Sequence, residues 1–78
     1  MGNQTAKTGL LTEYRELLHR IAMSSTLLEM DAHRDDAETT VDQLWNRNMI
    51  TDKEYSDMRG TIAAFAFHQN KKILEMWE

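Results

Sequence analysis

The chain has 78 residues and a mass of 9.1 kDa, enough for one small domain and too little for a deep catalytic cleft. Hydrophobic residues make up 41% and charged residues 28%, which excludes collagen-like, low-complexity and strongly disordered chains. Thirteen acids against nine bases give a net charge of −4, the wrong sign for a chain that wraps nucleic acid.

Proline is absent and there are three glycines, so the turn residues that an all-β domain needs are missing. The expected fold is therefore all-α. Cysteine is also absent, which removes disulfides, zinc-thiolate centres and cysteine nucleophiles. Small secreted domains usually need disulfides, so a cytoplasmic setting is expected. No run of 18 apolar residues occurs, and the polar start of the chain lacks the apolar segment of a signal peptide. Met1-Gly2 begins like a myristoylation signal, but Ala6 stands where that signal needs Ser or Thr. Residues 1–7 read as a flexible tail ahead of a single helical domain over 8–78.

The first apolar stripe is Leu11, Tyr14, Leu18, Ile21, Ser25, Leu28 and Ala32, widened by Leu10 and Leu17. Its alternating spacing of three and four predicts a helix over about 8–32. Ser24, Ser25 and Thr26 are modest helix formers and mark a weak point in its middle. A second stripe, Ala37, Val41, Leu44 and Trp45, does not continue the first. Asp35-Asp36-Ala37-Glu38 resembles a capping box, with acids where a helix N-terminus favours them. The expectation is a break over 31–36 and a second helix over about 36–47, with Trp45 anchoring the core.

The third helix has the clearest start. Thr51-Asp52-Lys53-Glu54 fits the S/T-x-x-E capping box, and Ile50 with Tyr55 fits the hydrophobic staple around it. The helix is expected over 52–77, after a tight connection over 46–50. Residues 44–59 (LWNRNMITDKEYSDMR) are similar to the short helical hairpin of SHOCT-type modules. That family normally has a glycine in the turn, where this chain has Asn48. The resemblance implies a hairpin and carries no function.

On this third helix Tyr55, Met58, Ile62, Phe65, Ala66, Ile73, Met76 and Trp77 form one stripe, which Ala63, Phe67 and Leu74 extend sideways. The arc is roughly 200°, against the ~100° that one core-facing side requires. Ala63, Phe67, Leu74 and Trp77 are therefore candidate self-association residues, and the small bundle is expected to be completed as a homodimer.

The acids are unevenly spread. Residues 29–42 hold six of them, Glu29, Asp31, Asp35, Asp36, Glu38 and Asp42, with Arg34 as the one base. These six are the candidate acidic surface for a protein partner. Glu16 with His19 has the E-x-x-H spacing of di-iron bundles, but no second pair exists to complete a site. The pairs Glu29/His33 and Asp31/Asp35 are four apart and lack an oxygen cage. No G-x-S-x-G elbow and no phosphate loop is present. No catalytic residue, metal or cofactor is expected, nor direct binding of nucleic acid or membrane. The expected role is a small intracellular interaction module that self-associates and binds an unidentified protein. The alternative is an inhibitor encoded by a phage or mobile element, whose acidic surface blocks a basic nucleic-acid-binding site.

Overall fold

The computed structural model describes residues 2–77, with side chains from residue 5 onward. Three helices account for nearly all of them, and no strand occurs among the described residues: α1 (Gly2–Met23), α2 (Leu27–Asn46) and α3 (Asp52–Met76). The all-α three-helix bundle expected from composition is the fold.

The first two helices do not divide where the stripes suggested. α1 already includes residues 2–7, and the chain breaks at residues 24–26 rather than over 31–36. The reason is local hydrogen bonding. The Ser24 hydroxyl donates back to the Arg20 carbonyl at 2.7 Å and ends α1. Thr26 then caps α2, its Oγ1 accepting from the Glu29 amide at 3.1 Å. Glu29 Oε1 in turn accepts from the Ser25 amide at 3.2 Å. Thr26-Leu27-Leu28-Glu29 is thus a variant of the capping box. Leu28 and Ala32, which extended the first stripe, are exposed as a result. Asp35 and Asp36 lie in the middle of α2.

The second connection follows expectation. Asn48 has φ 57°, and the amides of Asn48 and Met49 donate to the carbonyls of Trp45 (3.0 Å) and Leu44 (2.9 Å). This is a Schellman motif, in which asparagine takes the left-handed position otherwise held by glycine. Thr51 and Glu54 close the predicted capping box: Glu54 Oε1 accepts from the Thr51 amide (2.9 Å), and Thr51 Oγ1 from the Glu54 amide (3.1 Å).

Each cap satisfies helix-end amides that would otherwise lack a partner. Thr26→Ala and Thr51→Ala are each expected to lower stability by about 1 kcal/mol. In a domain of this size that is a fall of about 4–8 °C in Tm by calorimetry. The backbone hydrogen bond from Thr51 holds the Glu54 carboxyl below its ordinary value of 4.5. Its contribution is therefore complete above that value and is lost as the pH falls through the lower folded value. Glu54→Gln should accordingly lower the urea midpoint at neutral pH and leave it nearly unchanged at about pH 2.

The core is one cluster: Tyr14, Leu17 and Ile21 from α1, Met30, Ala37, Val41 and Leu44 from α2, Ile50, and Ile62, Ala66 and Ile73 from α3. Two core expectations are corrected. Trp45 is 40% exposed, because its ring stacks on Tyr55 at 4.4 Å and its indole N–H donates to Asp52 Oδ1 at 2.9 Å. Phe65 and Met76, counted in the α3 stripe, are exposed as well, Phe65 at 38% on the α1 side of α3 and Met76 at 63% near its end. Met30, outside every stripe, is fully buried in their place.

Two long-range hydrogen bonds set the register. The Tyr14 hydroxyl donates to the Met58 carbonyl at 3.3 Å, and Gln69 Nε2 donates to the Ser24 carbonyl at 2.7 Å. Both partners advance by about three turns in the same sense, so α1 and α3 are parallel and α2 runs against them. The second bond also puts the α1–α2 turn level with Gln69. Residues 74–76, which follow the buried Ile73, are the part of α3 that extends past that turn. The outline is elongated, 50 × 20 × 13 Å. Its radius of gyration is 13.5 Å, against about 11.5 Å for a compact domain of this length.

Candidate interaction surface

With the break moved, all six candidate acids fall on α2, but they do not make one surface. Asp31, Asp35, Glu38 and Asp42 follow each other at four, three and four residues and share one flank. Glu29 and Asp36 are seven apart and lie on the other flank, with Met30, Ala37, Val41 and Leu44 between the two.

Most of these carboxylates have local partners. Glu29 serves the cap of α2. Asp31 faces Arg34 at 3.4 Å. Arg59 of α3 reaches Glu38 at 3.5 Å and Asp42 at 3.4 Å. Asp42 Oδ1 also accepts from the Tyr55 hydroxyl at 2.8 Å, and this bond holds the Tyr55 hydroxyl above its ordinary pKa. The Arg59 guanidinium lies 5.8 Å from the Tyr55 ring centre. These groups form a half-exposed polar network that ties α2 to α3 across the hairpin. Such exposed pairs contribute little individually, about 0–1 kcal/mol, so the network fixes geometry more than it stabilises. Asp35 and Asp36 are exposed, and theirs are the only two of the six side chains without a partner among the described residues. Asp35→Lys together with Asp36→Lys should leave the fold within about 1 kcal/mol of the parent in a urea titration.

The candidate self-association residues behave differently. Ala63, Phe67, Leu74 and Trp77 are all exposed, with Phe67 at 77%, Leu74 at 52% and Trp77 at 75%. With Asn70 they recur at four, three, four and three residues, so they form one straight seam on α3. This seam borders a groove of about 260 Å³ between α2 and α3, lined by Met30, Arg34, Glu38, Ala66 and Phe67 with Ala63 and Asn70.

A second apolar region had no sequence signal of its own, because it depends on the turn at residues 24–26. Met23, Leu27 and Leu28 are exposed at that turn, Leu28 at 82%. The Gln69–Ser24 bond brings the end of α3, with Leu74, Met76 and Trp77, to the same end of the bundle. Six of the nine exposed large hydrophobic side chains among the described residues are thereby concentrated at one pole.

On the opposite side of α3 a groove of about 320 Å³ opens against α1, with Ala22, Ala64 and Phe65 as its apolar wall and His68 and Lys72 at its rim. Glu16 and His19 are both exposed on α1. No group of three or more His, Asp or Glu side chains converges among the described residues. No helix among them is long and apolar enough to cross a membrane. Comparison with protein-family models, with curated proteins and with solved structures gives no significant match to this chain.

Proposed function

We propose that this chain is a small non-catalytic helical interaction module, which self-associates and engages a second protein in the cytoplasm. The observation that supports this reading is the exposed apolar surface at the pole formed by Met23, Leu27, Leu28, Leu74, Met76 and Trp77. Monomeric soluble proteins rarely leave such groups contiguous unless a partner covers them. The chain exposes 5493 Å² in all. A compact monomer of its mass exposes about 4,900 Å². A cysteine-free sequence suits a reducing compartment.

Light scattering at tens of micromolar should give a mass near twice 9.1 kDa. Immobilised protein should retain its second partner at high salt, where apolar contacts persist and charge contacts are screened. Leu28→Asp should release that partner. A monomeric mass, with no protein whose retention depends on Leu28, would sink the reading.

A further inference from the structure

We infer that the seam on α3 is an antiparallel two-fold interface with a second copy of this chain, centred on Asn70. The inference rests on the self-association reading and specifies its geometry. Read backwards about Asn70, the seam complements itself. Ala63 meets the partner's Trp77, a small side chain opposite the largest one. Phe67 meets the partner's Leu74, and Asn70 meets the partner's Asn70. No charged residue occurs in the series Ala63, Phe67, Asn70, Leu74 and Trp77, so a copy can approach without burying a charge. A pair of asparagines on the axis can exchange amide hydrogen bonds, and a polar pair of this kind fixes register in helix pairs.

Two further observations favour a second copy over an unrelated helix. The first is charge. Arg34 stands in the groove beside Ala63, and its Nε is buried without a hydrogen-bond partner. In this register the C-terminal turn of the partner's α3 arrives at Ala63. That turn contains no basic residue of its own to offset its negative helix end. The Arg34 guanidinium, paired with Asp31 at the edge of the groove, would then face this negative helix end. The second is area. The chain exposes 5493 Å², about 600 Å² more than a compact monomer of its mass. Doubled, that excess is about 1,200 Å², the lower end of a stable interface. The seam, from Ala63 to Trp77, is about 21 Å long, four turns of helix, which suits an interface of that size.

The absence of native cysteine makes the register directly measurable. Single-cysteine variants are oxidised mildly at tens of micromolar, and covalent dimer is followed on a gel, with helicity checked by circular dichroism. Asn70→Cys should cross-link at least tenfold faster than Leu28→Cys, which is exposed and off the seam. Ala63→Cys mixed with Trp77→Cys should give a covalent dimer that neither variant gives alone. Both of these positions are exposed, so the pair tests the register even if Asn70→Cys disturbs the fold. A dimeric mass with Asn70→Cys no faster than Leu28→Cys, and no gain in the mixture, overturns the seam and leaves self-association by another face standing. A monomeric mass for the parent chain overturns both.

Discussion

Ile62→Ala is expected to remove a large share of the stability of this domain. Ile62 is fully buried where α3 enters the shared core, and the residues around it come from all three helices. Truncating such a side chain costs about 2–5 kcal/mol, the lost transfer energy plus the cavity left behind. A 78-residue domain has only about 4–12 kcal/mol in total. The variant should show a urea midpoint lowered in proportion, by about 2–5 kcal/mol divided by the m-value of the parent. Leu28→Ala removes the same three carbons from a side chain that is 82% exposed, and should change the stability by less than about 0.5 kcal/mol. Equal effects of the two substitutions would mean that the core is not the cluster described above.

Phe67→Glu should separate assembly from folding. Phe67 is 77% exposed and lies on the seam, whereas Phe65 is 38% exposed and forms part of the wall between α1 and α3. A central aromatic anchor contributes about 2 kcal/mol or more to an interface. Phe67→Glu should therefore weaken the dimer at least thirtyfold, measured as the shift of the monomer–dimer midpoint in sedimentation, with the Tm of the monomer nearly unchanged. Phe65→Glu should do the reverse and lower the Tm, since it puts a carboxylate against Ala22 and Ala64. A dimer that tolerates Phe67→Glu and loses its midpoint with Phe65→Glu would place the interface on the α1–α3 side instead.

The start of α3 was fully legible in the sequence, because Thr51, Glu54 and Asn48 act through their immediate neighbours. The same kind of signal, Thr26 followed by Glu29, was also present at the start of α2. It was masked by chance periodicity: Ser25, Leu28 and Ala32 continue the α1 spacing across the break although they point to solvent. Asp35 and Asp36 then imitated a helix start in the middle of α2. Including Met30 with Ala37, Val41 and Leu44 restores the true stripe of that helix. The width of the apolar arc on α3 was legible, and so was the outward position of Phe67. The pole at the α1–α2 turn was not, because it arises from where two helix ends meet and no helical period encodes that. How the acids of α2 are paired was not legible for a related reason. Composition counts charges, whereas Arg34 and Arg59 act on them one at a time.

Gln69 has a kinetic consequence. Its bond to the Ser24 carbonyl joins residues 45 apart and is buried, and beyond it α3 buries only Ile73 among its last turns. The stretch from Leu74 to Met76 can therefore unwind and rewind while the rest of the bundle stays folded. Its amide protons should exchange with deuterium at rates set by this local opening, much faster than those around Ile62, which require global unfolding. Whatever binds the end of α3 must hold this segment closed. Slowed exchange at Leu74–Met76, with none at Ile62, would report occupancy of the surface without any label on the partner.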